Sequence, residues 1–468
     1  MSGITFAGLS PHPPVAVPEV GQDAVSDIKE TVNSMKKLAH QVRDIDPDLV
    51  ITISPHGPVF SDAINILNKK ELKGDLGQFG AEQVELSYSL DEKFTEEVVK
   101  ACNTQDLQVV RIDENAARKF DVDLKLDHGV LVPMYYLNQA GVDTPIVPIN
   151  MGLLAYEDLY KFGKIVQLVA KQLDYDVALI ASGDLSHRLK PGAPAGFNPR
   201  GQEFDEALIE YLDDLAVEQI INFDDSLVEK AGECGLRPII MMLGAIDGLD
   251  VEGGVLSYEG PFGVGYGVAS FEVKGKSEEP GFLEKLEENK EQKMQEIRDK
   301  ESEPVQLARE AVEEYAKNEE KIEIPQNLDP ELLEQAGAFV SIKKNGNLRG
   351  CIGTTKPTSS SLAQEIIDNA IKAGFNDPRF SPIKADELEE LTYTVDRLEE
   401  PEEIDSKEQL DSEKYGIIVK KGHSTGLLLP NLEGINSVKK QIEIAKRKAG
   451  LPQEADVDLM RFEVTRYE

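Results

Sequence analysis

Residues 48–58 read DLVITISPHGP and residues 4–14 read ITFAGLSPHPP, so two apolar runs both end in Ser-Pro-His. Near-continuous apolar runs of this length are typical of strands in a sheet that is covered on both faces. In open α/β sheets ligands bind beyond the carboxyl ends of the strands. The matching frame therefore predicts that His12 and His56 lie at one rim of a sheet, where a functional site is expected.

Two more apolar runs, TPIVPIN (144–150) and DVALIAS (176–182), have the same character. Helical patterns at 25–42 and 156–173 alternate with these runs, which predicts a layered α/β domain over residues 1–274. At its end, the runs at 251–260 and 261–273 read as strands, the second rich in glycine, and we expect an antiparallel pair at the edge of the sheet.

Residues 275–303 are mostly charged and have only a thin apolar line, which predicts a solvated helical linker. Residues 304–468 form a second, smaller domain with an α+β pattern, in which Pro304 stands in the first turn of a helix. We expect a hairpin over 339–353 with its turn at Asn345-Gly346, a helix that begins at a serine and ends before Gly374, and one closing strand at 457–465.

Composition narrows the class of protein. The 468 residues indicate two or three domains, and the net charge of −36 argues against nucleic-acid binding, which needs clustered Lys and Arg. We see no export signal at the N-terminus and no apolar run long enough to span a membrane. The three cysteines are widely separated, which excludes a disulfide framework and predicts a reducing, cytoplasmic location. An oligomer is compatible with this composition.

Five of the six histidines lie in the first domain, and four of them stand in loop-like segments: His12, His56, His128 and His187. The fifth, His40, lies within an amphipathic helical pattern and reads as a surface or packing residue. Imidazole binds iron, zinc, copper and nickel, and two histidines with one carboxylate leave positions open for substrate and oxygen. The prolines beside His12 and His56 restrict the backbone and lower the entropy lost when a metal orders the rings.

The order SPHPP, SPHGP, DHG and SGDLSH resembles the class III extradiol ring-cleavage dioxygenases of the LigB type and the related Memo-like proteins. The resemblance implies a non-haem ferrous-iron oxidoreductase that acts on a small aromatic, catechol-like compound. It further implies that His12 and His56 hold Fe2+, that His128 lines the substrate pocket and that His187 is the acid–base catalyst.

The third metal ligand stays open between two neighbours in AGECGLRPII, Glu233 and Cys234. The dioxygenases use a glutamate there, and Memo-like proteins use a cysteine, whose thiolate would favour zinc or copper. Asp184 has two interpretations of equal weight: a carboxylate that orients the imidazole of His187, or a helix N-cap beside Ser186.

The segments NLRGCIGT (347–354), FNDPRFSPI (375–383) and GLLLP (426–430) resemble the AMMECR-type domain, which implies a fold and no reaction. In prokaryotes the two domain types recur with a radical-SAM protein, a grouping called the AmmeMemoRadiSam system, so that protein is an implied partner. The alternative function is therefore a metal-binding or partner-binding protein of Memo type. In the short glycine-flanked turns of this domain, the only side chains that could take part in a reaction are those of Arg349, Cys351 and His423. Of these, Cys351 reads as a packing residue.

Overall fold

The computed structural model describes residues 2–344, 346–432, 435 and 437–468. The chain divides into two compact units, Met1–Glu287 and Glu288–Glu468. The charged segment predicted to be helical contains a helix, α11 (Phe282–Lys300), whose described residues are all at least partly exposed. No described helix is long and apolar enough to cross a membrane.

The first unit alternates strands and helices, as predicted. Its strands are β1 (Gly3–Ser10), β2 (Leu49–Ser54), β3 (Ile64–Leu67), β4 (Glu71–Leu76), β5 (Ala81–Ser89), β6 (Val109–Ile112), β7 (Ile146–Asn150), β8 (Asp176–Ser182), β9 (Leu249–Glu259) and β10 (Tyr266–Lys276). Its helices are α1 (Pro18–Gly21), α2 (Lys29–Ile45), α3 (Glu92–Asn103), α4 (Glu114–Phe120), α5 (His128–Ala140), α6 (Tyr156–Leu173), α7 (Arg200–Asp213), α8 (Val217–Ile221), α9 (Asp225–Ala231) and α10 (Leu236–Ala245), and α11 (Phe282–Lys300) crosses the division between the units.

Eight of these strands form one mixed sheet in the order β6-β3-β7-β2-β8-β1-β10-β9. The four strands β7, β2, β8 and β1 run parallel, so their carboxyl ends share one edge. The strands β9 and β10 form the antiparallel pair that the sequence predicts, and β9 is the edge strand. The strands β4 and β5 form a separate hairpin.

Hydrophobic periodicity explains how the helices cover this sheet. In α2 the residues Val32, Met35, Leu38 and Val42 recur every three or four positions and are buried, as expected for one face of an amphipathic helix. Every residue of β2 is buried, which fits a central strand that is covered on both faces.

Within the described residues, the second unit is an α+β arrangement with two four-stranded sheets, ordered β12-β11-β13-β18 and β14-β17-β15-β16. Its strands are β11 (Gly337–Lys344), β12 (Asn347–Gly353), β13 (Leu391–Leu398), β14 (Glu402–Ile404), β15 (Gly416–Lys421), β16 (Ser424–Leu428), β17 (Asp458–Phe462) and β18 (Val464–Tyr467). Its helices are α12 (Glu303–Asn318), α13 (Leu362–Phe375) and α14 (Val438–Lys448).

Two expectations for this unit are wrong in detail. The single closing strand is two strands, β17 and β18, which belong to different sheets. Gly374 lies inside the last turn of α13 and does not follow the helix; a Cβ there would lie 3.2 Å from Cδ1 of Ile383, so the glycine lets that side chain pack closely on the helix. The hairpin strands β11 and β12 are present as predicted, and Asn345 of the predicted Asn-Gly turn lies outside the described residues.

Candidate metal centre

The site is built at the carboxyl edge of the parallel strands. His12 follows β1 by two residues and His56 follows β2 by two residues, while the loop that carries Asp184 and His187 follows β8. Because β8 lies between β2 and β1 in the sheet, all three segments leave the sheet side by side. The placement of His12 and His56 agrees with the prediction that these two residues lie at one rim of a sheet.

His12 is the buried centre of the cluster. Its side chain is almost fully inaccessible, and its Nδ1 lies 2.8 Å from the Ser182 hydroxyl. Its backbone N–H donates to Oδ1 of Asp184 at 3.0 Å. With Nδ1 occupied by Ser182, the free ring nitrogen Nε2 faces His56, whose Nε2 is 2.9 Å away.

His128 adds a third imidazole to this pair. It is the first residue of α5, and Asp127 caps that helix by accepting the N–H of Gly129 at 2.7 Å. The same carboxylate oxygen accepts the hydroxyl of Ser54 at 2.6 Å, which fixes the helix start against the end of β2. The ring of His128 stacks on that of His56 with centroids 4.3 Å apart. Ligand atoms of His12, His56 and His128 all lie within 4.8 Å of one another.

Electrostatics keeps these rings neutral. Burial, together with the neighbouring rings of His56, His128 and His187, holds the pKa of His12 well below its usual value. Burial and His56 lower the pKa of His128 to about 4. Burial also lowers the pKa of His56, against an opposing effect of Asp127. Neutral imidazoles offer lone pairs to a cation, so the cluster has the donor set of a metal site.

The distances fit a shared ion. A metal–nitrogen bond of about 2.05 Å places two nitrogens at right angles around one ion about 2.9 Å apart. The Nε2 atoms of His12 and His56 have this separation. His12 and His56 were predicted as ligands, whereas His128 was predicted to line the pocket, and the structure places its donor atom within the same group.

The two candidates for a further ligand face different surroundings. The sulfur of Cys234 lies 3.6 Å from Nε2 of His12 and 3.7 Å from Nε2 of His187. The carboxylate of Glu233 accepts the backbone N–H of Leu236, the first residue of α10, at 2.6 Å. Burial raises the pKa of Glu233 to about 7, and burial raises the pKa of Cys234 well above its usual value.

Asp184 and His187 lie beside the cluster in different ways. The structure brings Asp184 to His12, whose backbone N–H it accepts, and burial raises the pKa of Asp184 to about 7. Residues 183–199 contain no helix, so the N-cap interpretation of Asp184 is wrong. Burial, His56 and Arg188 lower the pKa of His187, whose ring is half-buried next to Cys234.

Sequence reasoning missed three supporting groups, namely Ser54, Asp127 and Ser182. Each stands in a motif, SPH, DHG or SGDLSH, in which the sequence analysis assigned a role to the histidine, and in the last to Asp184 as well, but not to this residue. A hydroxyl at a strand end next to a ligand, and a carboxylate just before a helical histidine, are signals that these motifs contain.

Of the three side chains noted in the second unit, Arg349 and Cys351 have structural partners. Arg349 forms a two-point ion pair with Glu387, with contacts of 2.9 and 3.0 Å. The backbone N–H of Cys351 donates to Asp377 at 3.0 Å, and its sulfur accepts the Ser341 hydroxyl at 3.3 Å. His423 is exposed in the turn between β15 and β16. These contacts favour the packing interpretation of Cys351.

Comparison with known proteins adds the family. The family model described as the catalytic LigB subunit of aromatic ring-opening dioxygenase matches residues 6–269, and the AMMECR1 model matches residues 305–468. A protein of Clostridium acetobutylicum is 39% identical over 461 residues, which cover 98% of each chain. A protein of Thermotoga maritima is 47% identical over 166 residues, which are 35% of this chain and 95% of the relative. The crystal structure of an uncharacterized protein from Pyrococcus horikoshii is 34% identical, covers 35% of this chain and 88% of its own, and has a TM-score of 0.34.

The LigB match spans more than half of the chain, and the Clostridium relative shares both parts along almost its whole length. The chain therefore belongs to the LigB family, and it joins a Memo-like LigB domain to a C-terminal AMMECR1 domain.

Proposed function

We propose that the first unit is a non-haem ferrous-iron oxidoreductase that opens the ring of a small catechol-like compound. The observation that supports the proposal most directly is the cluster of neutral imidazoles of His12, His56 and His128 at the carboxyl edge of the sheet. The LigB family, whose description names aromatic ring-opening dioxygenases, supports the same chemistry.

Fe2+ held by His12 and His56 would bring the diol and O2 together and pass charge between them, so that both oxygen atoms enter the ring-opened product. His187 is neutral because burial lowers its pKa, and it can therefore take a proton from a substrate hydroxyl and return it later. Phe79, at the tip of the β4–β5 hairpin, packs edge-on against His128 with centroids 5.4 Å apart. This aromatic wall suits a flat, apolar substrate ring.

A second candidate function is favoured by the sulfur of Cys234, which lies within 3.6 Å of His12. A thiolate donor selects zinc or copper over ferrous iron. In this case the unit is a metal-binding or partner-binding protein of Memo type that works with a radical-SAM enzyme and does not cleave rings.

Oxygen uptake separates the two candidates. The full chain is purified without oxygen, loaded with Fe2+, and mixed with a panel of catechols in an oxygen electrode. The first proposal expects catechol-dependent uptake in the wild type and its loss in H187A, which keeps its iron. His40 is exposed on α2, so H40A is the matched control and keeps full uptake. Iron-replete wild type that consumes no oxygen with any catechol, yet captures the radical-SAM protein, overturns the first proposal in favour of the second.

A further inference from the structure

Behind the loop that carries His187 lies a buried carboxylate, Asp205, to which the chemistry above assigns no role. Asp205 is on α7 and is fully inaccessible. Its Oδ1 accepts the backbone N–H of Ser186 at 2.7 Å, and its Oδ2 accepts the hydroxyl of Tyr258 at 2.7 Å. A buried carboxylate is costly unless its oxygens are bonded, so these two contacts define its place.

Ser186 continues the chain of hydrogen bonds toward Cys234. Its hydroxyl donates to the carbonyl of Ala231 at 2.9 Å and accepts the N–H of Arg188 at 3.1 Å. Ala231 is the last residue of α9 and stands three residues before Cys234. The network therefore joins the segment that presents His187 to the segment that presents Cys234.

Two glycines make room for this network. A Cβ on Gly201 would lie 2.4 Å from the Ser186 hydroxyl, and a Cβ on Gly265 would lie 2.1 Å from Oδ2 of Asp205. Gly201 and Asp205 are one helical turn apart on α7, so one face of that helix packs on the loop. Gly265 also exchanges backbone hydrogen bonds with Leu185 and Ser186 at 2.8 and 2.9 Å.

We propose that Asp205 is a positioning residue that, through Ser186, holds the imidazole of His187 beside the sulfur of Cys234. The loop 183–199 has no helix or strand of its own, so its conformation depends on such contacts. Nε2 of His187 and the sulfur of Cys234 are 3.7 Å apart, a distance that this network maintains. The positioning role of Asp205 does not depend on the proposed function; only the catalytic role of His187 rests on it.

Side-chain NMR of the metal-free full chain, labelled with 15N at histidine, tests this placement, with the His187 signals assigned by H187A. D205A is expected to shift or broaden the His187 ring signals and to leave those of His40 and His423 in place. D205N is expected to restore them, because the amide oxygen can accept the Ser186 N–H. Burial raises the pKa of Asp205 to about 7, so an uncharged side chain of the same shape suits the site.

The matched control is Y160F, which removes a similar hydrogen bond between a buried tyrosine and Asp247, of 2.8 Å, elsewhere in the unit. The proposal is overturned if folded D205A keeps the His187 signals, or if Y160F moves them as far as D205A does. Should D205A not fold, S186A removes the hydroxyl that joins Ser186 to the carbonyl of Ala231 and must still shift the His187 signals. If the wild type consumes no oxygen, the proposed reaction is rejected, but the NMR test of the role of Asp205 keeps its meaning.

Discussion

Nε2 of His12 and Nε2 of His56 lie 2.9 Å apart, although 44 positions separate them in the chain. Their strands, β1 and β2, are not neighbours, because β8 lies between them in the sheet. Both strands run parallel to β8 and end at the same edge, and the two Ser-Pro-His segments extend beyond it. The contact is thus a consequence of topology, and it places two lone pairs where one cation can accept both.

Replacing either member of this pair is expected to abolish tight metal binding. H12A and H56A each remove one donor, and we expect the affinity for Fe2+ or Zn2+ to fall by more than about 100-fold. Metal content after anaerobic dialysis and titration with a chelator measure this change. H40A, on the exposed face of α2, is the control and keeps the wild-type metal content. Metal-replete H12A and H56A would contradict the assignment.

The hydroxyl of Ser182 is expected to matter almost as much as a ligand. It lies 2.8 Å from Nδ1 of His12, and when it accepts the Nδ1–H the lone pair of Nε2 is left for a metal. We expect S182A to lower metal affinity about 10- to 100-fold without unfolding the protein. Ser10, which pairs in register with Ser182, bonds the carbonyl of Pro11 instead, so S10A is the matched control. Equal losses in the two variants would contradict the role of Ser182.

Sequence patterns predicted the frame of the site well, because strand ends and motif order are local properties. The apolar runs before His12 and His56 specify β1 and β2, and a parallel sheet then brings both histidines to one edge. The position of His128 depends on hydrogen bonds between distant segments: Asp127 accepts the hydroxyl of Ser54 at the end of β2 and a backbone N–H in the first turn of α5. Such a contact between distant segments leaves no periodic signal in the sequence.

The second unit shows the same limit of prediction from sequence patterns. The pattern at 457–465 is continuous, yet the chain changes sheets between β17 and β18, because β15 and β13 each take one part as a partner. Gly374 reads as a helix terminator, but it lies within α13, where Cδ1 of Ile383 packs so closely that a Cβ would be only 3.2 Å from it. Local propensity gives the element, and tertiary packing decides its end.

The choice between Cys234 and Glu233 can be tested with Co2+, whose thiolate complexes absorb in the near ultraviolet. Because the sulfur faces His12 and the carboxylate accepts the N–H of Leu236, we expect C234S to change this spectrum and E233A to keep it. E233A is instead expected to lower the free energy of unfolding by about 1 kcal/mol through the lost hydrogen bond. An unchanged spectrum in C234S, together with metal loss in E233A, would make Glu233 the ligand.

In the second unit, the pair formed by Arg349 and Glu387 predicts how stability depends on pH. The hydrogen bonds from Arg349 lower the pKa of Glu387 to about 2, from 4.5 for the free side chain. A carboxyl group whose pKa is lower in the folded state adds stability above pH 4.5, and this stability is lost as the pH falls toward 2. Glu387 is largely covered, at 16% side-chain exposure, so solvent weakens the pair only in part.

Urea unfolding of wild type and E387Q between pH 7 and pH 2.5 measures this contribution. At pH 7 we expect the free energy of unfolding of E387Q to be about 1–2 kcal/mol lower than that of wild type. This difference is expected to shrink steadily below pH 4.5. Glu389 is an exposed neighbour on the same turn, so E389Q is the control and should unfold like wild type at each pH. Only an ionised carboxylate attracts the guanidinium of Arg349, so the contribution of this pair must fall as the pH falls. A difference in unfolding free energy between wild type and E387Q that stays constant down to pH 2.5 would therefore come from a change in packing and would contradict the prediction.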